Sequence, residues 1–206
     1  MGIDTALFDL DGTLINTEAR SMAMWRMLLD RHEVEYDVRA FMGRRSRDVI
    51  PEVFPGADVE EIVREVFSYD EHPGLPEIAP VPGAADLVRA VAAYGSPIGL
   101  VTSSRRWWAE ARLAEVGVRD LIRTVVSAED VEVGKPDPAG FLLAAERLGA
   151  SPADCVVFED SLAGIAAAKA AGMRCVGVAT NHADEELAGA DLVVADLTAV
   201  DWPPFA

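Results

Sequence analysis

Two aspartates two residues apart, Asp9 and Asp11, follow the apolar run Ala6, Leu7 and Phe8 and precede Gly12, Thr13 and Leu14. A short apolar run of this kind reads as a buried strand. Residues two apart in an extended chain point to the same side, so both carboxylates face one spot past the strand's end. Two carboxylates that close resist ionising together, and a divalent cation relieves the repulsion. The pair therefore suits hard-metal chemistry on a phosphate, although a strand ending in an acidic turn has the same composition. Three more polar clusters follow apolar runs. Thr102, Ser103 and Ser104 offer small hydroxyls and backbone N–H groups that hold a phosphate or cap a helix. Lys135 sits between Gly134 and Pro136, a stiff setting that suits a point charge aimed at a phosphate or a carboxylate, or else a surface turn. Glu159 and Asp160, followed by Ser161, complete a metal site with Asp9 or cap the next helix.

The elements that must carry these clusters alternate in α/β fashion. Beyond Leu14, Thr17 is placed to cap a helix whose apolar face is Met22, Trp25, Met27, Leu28 and Leu29. Further helical pieces are expected over 38–53 and 59–67. The proline-rich stretch 70–83 reads as a linker, so residues 16–80 form an all-helical insert. From Gly83 the pattern predicts helices over 84–93, 107–116, 138–148, 162–171 and 184–188. Strands are expected over 97–101, 124–127, 155–158, 175–178 and 192–194. Six apolar runs with helices between them imply a parallel sheet with right-handed crossovers, covered on both faces. In such a sheet the four polar clusters all reach one edge.

The composition excludes several classes. A formal net charge of −17 argues against nucleic acid as a partner and requires a local positive site for any anionic substrate. No apolar run is long enough for a membrane span, and the N-terminus enters a strand without a basic leader, which favours the cytoplasm. Cys155 and Cys175 lack the count and spacing of a zinc site or a disulfide scaffold and read as buried thiols. His32, His72 and His182 are scattered and take no role. Arg44, Arg45 and Arg47 concentrate positive charge within residues 42–48. They reach a substrate anion or hydroxyl when the insert closes, or form a solvated helix face. Arg105, Arg106, Trp107 and Trp108 follow the hydroxyl cluster and are placed to line the same cleft, one tryptophan packing in the core.

In order and spacing, residues 9–14, Thr102 and Ser103, Gly134 to Pro136, and Glu159 to Ser161 resemble the four motifs of the haloacid-dehalogenase-like hydrolases. The likeness spans nearly the whole chain and is nearest the sugar-phosphatase and β-phosphoglucomutase-like branch. It implies a Rossmann-like three-layer core of residues 1–15 and 81–206 with strand order 5-4-1-2-3, and a helical cap of residues 16–80. It implies a Mg²⁺-dependent phosphatase acting on a small sugar or polyol phosphate, as a monomer or dimer. Asp9 is then the nucleophile, and Asp11 the acid and base. Thr102 and Lys135 hold the phosphoryl oxygens, and Ser103, Arg105 and the cap arginines meet the substrate. Asp9, Asp11, Glu159 and Asp160 are the implied metal ligands. The second aspartate disfavours dehalogenase and phosphonatase chemistry. A phosphosugar mutase and a non-catalytic binding protein are the alternatives. Ser21 stands where mutases of this branch carry a cap histidine, which favours hydrolysis, and Asn16 stands where an aspartate is common.

Overall fold

The computed structural model describes residues 4–205, so residues 1–3 and 206 of the expected core lie outside the described residues. In chain order the first elements are β1 (Thr5–Phe8), β2 (Ile15–Asn16), α1 (Glu18–Arg31), α2 (Ser46–Val53), α3 (Val59–Ser68) and β3 (Ala79–Pro80). There follow α4 (Ala84–Tyr94), β4 (Ile98–Val101), α5 (Arg106–Val116), β5 (Thr124–Val126), α6 (Ala139–Leu148), β6 (Cys155–Glu159), α7 (Leu162–Ala170), β7 (Arg174–Val178) and β8 (Leu192–Val194).

The strands of the main sheet run β5-β4-β1-β6-β7-β8, all parallel. Counted along the chain within this sheet, that is the expected 5-4-1-2-3 arrangement read from the opposite edge, with β8 added beyond β7. Both faces are covered, which is why β1, β4 and β6 are apolar without alternation apart from Thr5 at the start of β1 and Glu159 at the end of β6. Side chains still alternate: Ala6 and Phe8 of β1 enter one apolar cluster with α4 and α5, and Leu7 enters the other with α6 and α7. The result is a three-layer α/β core.

Neither cluster takes a buried residue from between Ile15 and Val81. Helices α1, α2 and α3 instead bury Trp25, Leu28, Val49, Ile50, Ile62 and Val63 in a cluster of their own. The chain enters and leaves this helical segment through one antiparallel pair, β2 with β3, in which Ile15 faces Pro80 and Asn16 faces Ala79.

Three sequence expectations change. The helical piece over 38–53 is a 3₁₀ turn (Val38–Phe41) and then α2, because the chain breaks between them at Gly43, whose φ is 68°. The stretch 70–83 is not wholly linker, since Ala79 and Pro80 form β3. Residues 184–188 are turns rather than a helix; the run is too short and polar to propagate one.

Candidate active site

The four polar clusters meet at the carboxyl edge of the sheet. The ladder continues one residue past the strands: the Asp9 N–H donates to the Phe158 carbonyl at 2.9 Å, and the Thr102 N–H to that of Val126 at 2.9 Å. Both side chains are thus fixed by backbone pairing rather than by a loop. Lys135, only 6% exposed, crosses this edge. Its ammonium donates to Asp9 Oδ1 at 2.5 Å, to the Val101 carbonyl at 3.1 Å, and to Glu159 Oε1.

Asp11 is held by four donors. Thr17 Oγ1 (2.8 Å) and Trp108 Nε1 (3.2 Å) reach its Oδ1; Ser104 Oγ (2.7 Å) and Thr102 Oγ1 (3.4 Å) reach its Oδ2. Thr17 occupies the cap position of α1 as expected, yet it makes no side-chain cap bond; its hydroxyl is committed to Asp11. Asp160 accepts from Thr13 Oγ1 at 3.1 Å and from Asn181 Nδ2 at 3.2 Å. Gly12 lies against it with φ 95°, and a Cβ there would come within 2.0 Å of Asp160 Oδ2.

Burial decides the electrostatics. It pushes the Asp9 carboxyl well above the usual carboxylate range; Lys135 opposes this, while Glu159, Asp160 and Asp11 add to it. Asp160 is raised in the same way, by burial and then by Glu159 and Glu18. Burial alone would lower the Lys135 ammonium, but Asp9 and Glu159 outweigh it and raise it. Glu18 was given no role by its sequence context, where an acid in the first helical turn suits the helix dipole. It is 7% exposed, and burial with Asp11 and Asp9 nearby lifts its pKa to about 8.

The expected metal ligands are not all gathered. Among the described residues no three His, Cys, Asp or Glu side chains cluster so as to hold an ion. Glu159 turns away: Oε1 takes Lys135, and Oε2 takes the N–H and hydroxyl of Ser161, each at 2.9 Å. Of the implied ligands this leaves the side chains of Asp9 and Asp160, and for Asp11, whose carboxylate is held by four donors, only its carbonyl. These are hard oxygen donors in a buried site where Lys135 pairs with Asp9 and Glu159, while Glu18 and Asp160 are buried nearby without an ion pair to it. The donor chemistry and the uncompensated charge both fit a divalent cation such as Mg²⁺.

A cavity of about 280 Å³ opens between this edge and the helical segment, reached by Asp9, Asp11, Glu18, Ser21, Thr102 and Ser103. Trp25 and Phe41 give it an apolar wall. The arginines on its rim are already ion-paired. Arg44 grips Glu52 through two bonds of 2.6 and 3.2 Å, and Arg47 and Arg105 share Glu60. Arg45, expected to reach substrate, is instead buried with its guanidinium turned into the core. Arg106 is turned to Asp130, whereas Ser103 bonds the Gly43 carbonyl across the cleft at 2.8 Å. Of the neighbouring tryptophans, Trp108 packs against the core cluster as expected while its Nε1 reaches Asp11, and Trp107 is 57% exposed. Asn181 and Glu18 were missed. The strand-end rule that found Asp160 also points to Asn181, just past β7, but Glu18 becomes a site residue only because the start of α1 packs against the sheet's edge beside Asp9 and Asp11.

Comparison with known proteins agrees with this geometry. The family model for haloacid dehalogenase-like hydrolases matches residues 3–172. Validoxylamine A 7'-phosphate phosphatase of Streptomyces hygroscopicus subsp. limoneus is 43% identical over 204 residues, covering 96% of each chain. Fructose-1-phosphate phosphatase YqaB of Escherichia coli is 35% identical, covering 84% of this chain and 94% of its own. The crystal structure of β-phosphoglucomutase from Clostridium difficile superimposes with a TM-score of 0.83 at 26% identity, covering 97% of this chain and 94% of that one. No helix among the described residues is long and apolar enough to cross a membrane.

Proposed function

Because the chain belongs to the haloacid dehalogenase-like hydrolases and is a phosphatase acting on phosphorylated small molecules, we propose that it hydrolyses a sugar or polyol phosphate through an aspartyl-phosphate on Asp9. The observation that carries this reading is the placement of Lys135 on Asp9, with Asp11 beside them fixed by four donors.

In the first step an Asp9 oxygen bonds to phosphorus as the bond to the leaving oxygen breaks, and Asp11 gives that oxygen a proton. In the second, Asp11 takes a proton from water, the water oxygen bonds to phosphorus, and the Asp9–phosphorus bond breaks. Lys135 and Thr102 hold phosphoryl oxygens, placing donors where charge lies in the transition state. Glu159 and Ser161 act behind Lys135 and keep its ammonium aimed at the edge. Asp9, Asp160 and the Asp11 carbonyl would hold Mg²⁺, which when bound supplies positive charge to the phosphoryl oxygens.

Residues 16–80 act as a cap on a core of residues 1–15 and 81–206, supported by the separate apolar cluster and the paired β2 and β3. Substrate selection falls to the cavity wall. Arg47 and Arg105 share one carboxylate, so they retain unmatched charge for a substrate anion or hydroxyl. Ser21 on the cavity wall supports hydrolysis over phosphosugar mutation, since it cannot relay a proton as a histidine would.

The test is phosphate release from a panel of sugar and polyol phosphates, with Mg²⁺ and with EDTA, beside Asp9→Asn. Release that needs Mg²⁺ and disappears in Asp9→Asn supports the mechanism. Undiminished turnover by the variant refutes Asp9 as nucleophile. Turnover only in the presence of a bisphosphate primer would favour the mutase.

A further inference from the structure

The loop from β5 to α6 carries Lys135, and it is held from two sides. The core holds its first half: Asp130 accepts from the Ser127 N–H (2.9 Å) and hydroxyl (2.7 Å), from Arg106 (2.5 Å) and from Arg147 (2.9 Å). The stretch from Ala128 to Glu132, which leads into Lys135, is also held by a residue of the helical segment. Arg45, at the start of α2, is 4% exposed. Its Nε and Nη2 grip Asp48 at 2.8 Å each. Nη1 donates to the carbonyls of Ala128 (3.2 Å) and Val131 (2.7 Å), and Nη2 to that of Glu132 (2.6 Å). A guanidinium has five N–H donors, and all of them are used here.

Gly134 shows how closely the two parts fit. A Cβ at that position would lie 2.6 Å from Arg45 Nε and 2.8 Å from Asp48 Oδ2. The residue next to the lysine therefore has no side chain because the arginine occupies the space. If the helical segment lifts, Arg45 and Asp48 leave together, since both belong to it. Three carbonyls then turn to water, and the strand of loop leading to Lys135 loses its directed partners.

We propose that Arg45 is a positioning residue that couples closure of the helical segment over the cavity to the placement of Lys135 on Asp9. This rests on the phosphatase reading above for its catalytic consequence, but not for its structural one. Asp9, Val101 and Glu159 hold the ammonium from the core, but the loop that carries the lysine has its full set of partners only when the lid is down, so a phosphoryl group meets a fully ordered site only after the cavity is shut. The device accounts for an arginine that lines the cavity and yet offers substrate no free donor.

The experiment pairs steady-state kinetics with hydrogen–deuterium exchange on the full chain, for wild type, Arg45→Ala and Arg45→Lys. In Arg45→Ala, kcat should fall by roughly thirtyfold or more, with KM changed less than about threefold. Exchange of the 128–135 amides should quicken while that of β6 stays unchanged. Guanidinium ion at tens of millimolar should restore part of both, because it can bridge Asp48 to the three carbonyls. Arg45→Lys keeps the charge without the planar fork and should fall between; it carries the test if Arg45→Ala fails to fold. A rise in KM alone would make Arg45 a substrate contact and overturn the proposal. So would exchange of 128–135 that matches wild type. If wild type releases phosphate from no substrate, the mechanism above falls, while the exchange data still decide whether Arg45 orders the lysine's loop.

Discussion

The proposed mechanism needs Asp9 as a carboxylate, and burial opposes that. The group that favours its charged form is Lys135, which itself is buried against Asp9 and Glu159. Lys135→Met would leave both carboxylates without their cation. Activity should fall at least about a thousandfold, and folding stability by roughly 3–5 kcal/mol as read by urea unfolding. Glu18 makes the opposite kind of statement. Its pKa rises from 4.5 unfolded to about 8 folded, so between those values the native state binds more protons than the unfolded one. Stability should therefore be highest below the unfolded value, fall as pH rises through that window, and level off above it. In EDTA the decline should amount to roughly 2–4 kcal/mol, and Glu18→Gln should flatten it. A stability profile with the same slope in both proteins would remove Glu18 from the account. Asp130 follows the usual carboxylate sign. Burial raises its pKa, but the bonds from Ser127 and the two arginines outweigh this and hold it well below the ordinary value. Its contribution is present above the unfolded pKa and lost as pH falls through the folded one. Asp130→Asn should cost about 1–2 kcal/mol at neutral pH, and the difference from wild type should vanish in strong acid.

Two helix starts differ in whether the N-terminal hydroxyl caps its own helix. Ser161 caps α7 by accepting from the Gly164 N–H at 3.0 Å, so Ser161→Ala should cost about 1 kcal/mol in thermal or urea unfolding. Thr17 stands at the same place on α1 but donates to Asp11. Thr17→Val should lower kcat by roughly tenfold while stability moves by less than about 0.5 kcal/mol. Equal stability losses in the two variants would contradict this division. The contrast also shows how much could be read from the chain. The strands β1, β4 and β6 were legible because a parallel strand covered on both faces is a plain apolar run. Asp9, Asp11, Thr102, Lys135, Glu159 and Asp160 were legible because each ends such a run or lies on a stiff loop. The pair β2 and β3 was not, since two residues including Pro80 carry no periodic signal and form only through a contact distant in sequence. Side-chain direction was equally hidden. Arg44, Arg45 and Arg47 look alike in the sequence, but their roles follow from the partners the fold brings to them, Glu52, Ala128 and Glu60 in turn.

At the scale of the whole molecule, a net charge of −17 opposes the approach of any phosphate ester. The rim arginines soften this only at short range, because each lies against a carboxylate. Added salt should therefore raise kcat/KM by about two- to fivefold between low ionic strength and 0.15 M, where the screening length is about 8 Å. A fall with salt would mean that the local positive rim governs encounter instead. The antiparallel pair of β2 and β3 has a wider consequence. Because the chain departs at Asn16 and returns beside it at Ala79, the two ends of the helical segment are neighbours. A short turn would join them, and the buried residues of both apolar clusters of the sheet would all remain, with only the partly buried Ile78 lost from their edge. The segment is thus a cassette. Exchanging its lining while keeping Thr17 against Asp11 and Arg45 on the lysine's loop would alter which phosphate ester is accepted, so new specificities are open to this chain by replacement of one module at a single seam.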